Sequence, residues 1–117
     1  MLKFDEDAFR TQIASAVALR PQIEELVDQL LAKGIDNVLL VGAGGTYSQM
    51  WPYELMARER STLPVRSAIA AELVVAGDAL LGERTAAVFT SVTGTTEDVI
   101  RAMEYVTAAG ATTISFT

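Results

Sequence analysis

The sequence predicts an α/β fold built on a parallel sheet. Two observations carry that prediction. From residue 37 onward, short apolar runs of strand length alternate with longer stretches of helical period. The first run, Asn37-Val38-Leu39-Leu40-Val41, is continuously apolar and ends at once on Gly42. Such a run suits a strand covered on both faces, as parallel sheets require. The length of 117 residues allows one small domain. A chain of this size buries roughly 65% of its unfolded surface, enough for one modest core.

The elements follow in order. Phe9, Ile13, Ala16 and Val17 recur at helical spacing, with Asp5 and Asp7 as candidate N-caps. Pro21 has no N–H and clashes one turn back, so it belongs at the first position of a second helix. That helix carries Ile23, Leu26, Val27, Leu30 and Leu31 on one face, and Gly34 is its natural stop. After the first strand, Ser48 to Arg60 reads as helix with Pro52 near its first turn. Residues 64–68 form a second strand, 70–76 a short helix and 85–90 a third strand. Glu97 to Ala109 is a helix with Val99, Ile100, Met103 and Val106 inward, and residues 111–116 start a fourth strand. The division is therefore a helical segment at 1–36 and an α/β domain at 37–117. A fourth strand followed only by Thr117 raises the expectation that the chain is the first part of a larger domain. Met50, Met56 and Met103 read as core fillers. Trp51 and Tyr53 suit the core or an interface.

Composition excludes several functions. Nine Lys plus Arg against fifteen Asp plus Glu leave a formal charge of −6, which argues against nucleic acid as a partner. With no Cys and no His, the chain has no disulfides, no thiolate metal site and no Ser-His or Cys-His catalysis. No metal or cofactor is expected. No apolar run reaches the roughly 18 residues of a membrane span. The acidic start, Met1 to Asp7, lacks a signal-peptide core, so a cytoplasmic location is expected.

Two turns could hold an anion. The first, Gly42-Ala43-Gly44-Gly45-Thr46-Tyr47-Ser48, joins a strand to a helix. Its glycines let the backbone approach a ligand, and the helix offers free N–H groups at its positive end. The dinucleotide fingerprint fails here, because Tyr47 stands where the third Gly is required and no acidic residue ends the second strand. A P-loop fails too, since no Lys follows the glycines. A tight turn alone would also explain them. In the second turn, Ser91, Thr93, Thr95 and Thr96 place four hydroxyls within six residues. With backbone N–H groups, and with Gly94 to permit positive φ, they can surround a phosphate without Lys or Arg. A plain N-cap needs only one of them.

These residues resemble a family. Ser91-Val92-Thr93-Gly94-Thr95-Thr96-Glu97-Asp98 is similar to the S-x-S-G-x-T-x-[DE] phosphate loop of SIS (sugar isomerase) domains, and Gly42 to Tyr47 to their first loop. The resemblance runs from about Pro21 to Thr117. Gly44 to Tyr47, then Met50-Trp51-Pro52 and Ala70-Ala71-Glu72-Leu73, look closest to fructosamine 6-phosphate deglycases and to the isomerase part of glucosamine 6-phosphate synthase. The resemblance implies a flavodoxin-like parallel sheet flanked by helices, here lacking its last strand and helices and preceded by N-terminal helices. It implies that Ser91, Thr93 and Thr96 hold a phosphate by side chains, and Val92 and Gly94 by backbone N–H. Gly45, Thr46 and Glu72 would lie near the sugar, and Glu72 is the one candidate for catalysis; as a bland alternative, it is an exposed helix charge. Thr93 departs from the family's Ser but keeps the hydroxyl. The family's catalytic Glu and His come from beyond the equivalent of Thr117. The implied ligand is a phosphorylated sugar or fructosamine, and the implied assembly is a homodimer. The implied activity is an isomerase or deglycase, with a non-catalytic sugar-phosphate sensor as the alternative.

Overall fold

The computed structural model describes residues 3–91 and 96–116. It divides into two compact units, Met1–Lys33 and Gly34–Thr117. The first unit holds α1 (Glu6–Ala18) and α2 (Arg20–Lys33). Asp5 caps α1 by accepting the Ala8 N–H at 3.0 Å. Only Leu19 separates the helices, and Pro21 sits second in α2 rather than first. Neither helix buries a residue among those described, and Phe9, Ile13, Val17, Val27 and Leu31 are exposed. Helical periodicity thus located an apolar stripe, not a covered one.

The second unit runs β1 (Asn37–Gly42), α3 (Gly45–Arg60), β2 (Val65–Ile69), α4 (Ala70–Ala76), β3 (Thr85–Thr90), α5 (Glu97–Ala108) and β4 (Thr112–Phe116). The four strands are all parallel, in the order β2-β1-β3-β4. Parallel neighbours need crossover connections, and α3, α4 and α5 supply them. This is the flavodoxin-like order over its first four strands.

Side chains alternate across the sheet, so Leu39 and Val41 of β1 share a face with Ala87 and Phe89 of β3. That face packs on Leu73 of α4 and on Val99, Ala102 and Val106 of α5. Helix α3 packs on β1 and β2, and Leu40 and Val88 are only half-buried. The expectation of a β1 covered on both faces is met fully on one face and partly on the other. Two further expectations change. Met50 is buried, but Met56 is 52% exposed. Trp51 and Tyr53 are 53% and 60% exposed, so neither is a core residue. No helix among the described residues is long and apolar enough to cross a membrane.

At the amino ends of the strands the polar groups are paired. Arg66 donates from Nε and Nη2 to the two carboxylate oxygens of Asp78, at 2.9 and 2.7 Å. Its Nη1 also reaches Asn37 Oδ1 at 3.1 Å. The buried Thr85 hydroxyl lies 2.8 Å from Asn37 Oδ1 and 3.0 Å from the Leu80 carbonyl, and accepts the Gly82 N–H at 3.1 Å. Among the described residues no buried side-chain N or O lacks a partner.

Candidate functional site

In an open parallel sheet, ligands bind beyond the carboxyl ends of the strands, where the strand order reverses. Here that point lies between β1 and β3. The chain leaves β1 toward β2 on one side and leaves β3 toward β4 on the other. Their following connections therefore diverge and leave a crevice. A cleft of about 310 Å³ occupies it. Ala43, Gly45, Thr46 and Gln49 form one wall, and Thr90, Ser91, Thr96 and Val99 the other. The described residues of both turns singled out in the sequence thus border the same cleft, although some 45 residues apart along the chain.

The first turn is tighter than its glycine content suggested. Helix α3 begins at Gly45, not Ser48, so that Pro52 lies well inside it. The reason is Gly44, whose φ of 56° turns the chain straight from strand into helix. Gly42 permits the close approach: an added Cβ would stand 2.6 Å from the Tyr47 N and 2.9 Å from Thr46 Oγ1. The Thr46 hydroxyl accepts the Ala43 N–H at 3.0 Å and donates to the Ala43 carbonyl at 2.9 Å. It thereby locks the turn. A Cβ at Gly45 would meet nothing within 4 Å, so the backbone there is open to an approaching ligand.

On the opposite wall, the Ser91 N–H donates to the Phe116 carbonyl at 3.1 Å, which fixes the exit from β3 beside β4. Thr96 stands at the N-cap of α5 with extended backbone, yet its side chain makes no cap hydrogen bond. The first amides of α5 have no partner within the helix, and their dipoles favour an anion. A hydroxyl beside those amides can donate to the same anion. Glu97 and Asp98 follow in the first turn, and Glu97 is engaged by Arg101. No charged side chain is among the described residues of the lining.

Of the predicted site residues, the structure brings Gly45, Thr46, Ser91 and Thr96 to the cleft. Val92, Thr93 and Gly94 lie outside the described residues. Glu72 is an exposed residue in the first turn of α4 and is not part of the cleft lining. Gln49 and Thr90 were not anticipated. Thr90 ends β3, a position that the strand order makes a site position; its hydroxyl lies 3.5 Å from Met50 Sδ. Gln49 looks like any polar residue on a helix until the position of α3 over the cleft is known. Among the described residues, no group of carboxylates could hold a metal ion.

Neither a family model nor a curated protein matches the sequence. Solved structures do. A protein from Salmonella typhimurium assigned as a phosphosugar isomerase is 29% identical, with a TM-score of 0.72 over 78% of this chain and 28% of that one. This likeness supports the resemblance to SIS, or sugar isomerase, domains read from the sequence. A second assigned phosphosugar isomerase, from Bacillus subtilis, is 28% identical with a TM-score of 0.63, over 69% of this chain and 25% of that one. The tagatose-6-phosphate ketose/aldose isomerase of Escherichia coli is 15% identical and shares the fold, with a TM-score of 0.72 over 87% of this chain and 28% of that one. The chain spans about a quarter of the length of these proteins.

Proposed function

We propose that this chain is the phosphosugar-binding portion of a sugar-phosphate isomerase or fructosamine 6-phosphate deglycase. One observation carries the reading: the cleft at the β1/β3 switch point ends on the N-terminus of α5, where the Thr96 hydroxyl is not spent on capping. In this reading Ser91 and Thr96, with Thr93 and the backbone of Val92 and Gly94, surround the phosphate. Gly45 and Thr46 border the sugar. Residues 37–117 are the binding domain and residues 1–36 a separate helical segment. The complete protein works as a homodimer in the cytoplasm.

The chemistry follows from the anchoring. A phosphate held at one end fixes an open-chain ketose or ketosamine, so that an acid and a base can move a proton between C1 and C2. In an isomerase this interconverts ketose and aldose. In a deglycase, the C1 imine that results loses its amine to water. The acid and base come from elsewhere in the assembled protein, since the sequence has no His and Glu72 lies outside the cleft lining. The same uncharged lining favours a second reading, a sugar-phosphate sensor without turnover.

Calorimetric titration with fructose 6-phosphate, glucose 6-phosphate and unphosphorylated fructose tests the site. Binding is expected for the phosphorylated sugars alone. Ser91→Ala or Thr96→Ala each removes a hydrogen bond to an ionised group, worth about 1.5–3 kcal/mol, and should weaken binding about 10- to 150-fold. Thr85→Ala, at the far end of the sheet, should leave affinity unchanged. Unaltered affinity in both loop variants would refute the assignment. Interconversion of the two sugar phosphates, or release of amine from a fructosamine 6-phosphate, separates the enzyme from the sensor.

A further inference from the structure

The two walls of the cleft differ in which polar side chains are free. The α3 wall carries two polar side chains, Thr46 and Gln49. Thr46 is committed, since its hydroxyl donates to the Ala43 carbonyl and accepts the Ala43 N–H. Gln49 is not: its carboxamide has no hydrogen-bond partner among the described residues. It projects from the fifth position of α3, beyond the helix's first-turn amides. The anion-favouring groups, Thr96 and the first amides of α5, stand on the other wall.

We propose that Gln49 is a specificity-determining residue that reads a hydroxyl on the carbon chain of the bound sugar phosphate, while the phosphate itself rests against the α5 wall. The inference rests on the phosphate reading of the cleft and adds what the ligand must carry besides phosphate. A carboxamide offers two donors and an acceptor, and a sugar hydroxyl both donates and accepts, so the two groups match. A phosphate dianion only accepts, so it would use the carboxamide's donors and leave its oxygen unmatched. The cleft is at the lower end of the roughly 300–1,000 Å³ usual for small-molecule sites, so a ligand anchored on one wall is brought to the other. Gln49 is exposed, and replacing it removes no internal contact that the fold needs.

The test compares inorganic phosphate with fructose 6-phosphate on the intact protein and three variants. Gln49→Ala should weaken fructose 6-phosphate about 2- to 12-fold, the worth of one hydrogen bond between neutral groups, and leave the phosphate constant unchanged. Thr96→Ala should weaken both ligands. Gln49→Glu, which puts an anion at the same place, should weaken both as well. If Gln49→Ala leaves fructose 6-phosphate unchanged while Thr96→Ala weakens it, the phosphate site stands and the role of Gln49 is refuted. If Gln49→Ala weakens the two ligands equally, Gln49 serves the phosphate and the proposal is overturned. If Gln49→Glu alters neither, the side chain does not reach the ligand and the proposal again fails. If the unaltered protein binds neither ligand, the phosphate reading itself is wrong, and the role of Gln49 falls with it.

Discussion

At the amino ends of the strands, Arg66, Asp78, Asn37 and Thr85 satisfy one another across three strands and the loop after α4. At the carboxyl ends, among the described residues, Thr96 makes no cap bond with its hydroxyl and Gln49 leaves its carboxamide without a partner. The same sheet thus has a closed pole and an open one. Buried polar groups that find partners hold a structure to a single arrangement, whereas exposed groups such as Thr96 and Gln49 can bond to water and exchange it for a ligand. The contrast teaches where stability and binding should separate under mutation.

The largest expected effect is at the closed pole. Arg66→Ala would strand Asp78, whose side chain is 19% exposed, and remove a donor to Asn37. Breaking a fully buried pair costs about 3–5 kcal/mol; with one-fifth of this pair exposed, about 2–3 kcal/mol is expected. Urea unfolding would measure it, and affinity for the sugar phosphate should not change in the folded variant. A loss of affinity without a loss of stability would erase the distinction between the poles.

Gly42→Ala crosses the boundary. The new Cβ would press on the backbone of Thr46 and Tyr47, so the turn into α3 must shift. Overpacking of this kind costs about 1–3 kcal/mol. Because this turn forms one wall of the cleft, stability and affinity should fall together. Stability falling alone would mean that the turn does not shape the cleft.

The smallest effect is a pH dependence. The hydrogen bond from Arg66 holds the Asp78 carboxyl below its ordinary value, helped by the charge of Arg66 and the N–H groups of Leu80 and Leu81 and opposed by burial. A depressed carboxylate stabilises the fold above the unfolded pKa, and the contribution fades as pH falls through the folded one. Urea midpoints should therefore drop below about pH 4, and Asp78→Asn should flatten that part of the profile. An identical acid limb in the variant would remove Asp78 from the account.

The strands were legible because β1 and β3 are short apolar runs ended by Gly42 and Ser91, with no competing helical period. The first turn was legible because clustered glycines at a strand end have few other uses. What periodicity could not report was cover. The stripe Phe9, Ile13 and Val17 has the spacing of a buried face and is exposed, and Met56 likewise. The early start of α3 was hidden by Pro52, which belongs by local preference to a first turn and sits instead in the interior. Gln49 was missed for a different reason. Its meaning depends on strand order, and the β2-β1-β3-β4 order brings α3 and α5 to opposite sides of one crevice.

That crevice lies over the pairing of β1 with β3, strands separated by the whole of α3, β2 and α4. Such long-range parallel pairing is slow to form, since the loop must close before the contacts reward it. A small molecule touching Gly45 and Thr96 at once would act as a reversible cross-link across that loop, present only when the strands are already side by side. It would bind the native state alone and so slow the separation of the central strands. Occupancy would thus set the lifetime of the sheet, and amide exchange in β1 and β3 would report it together.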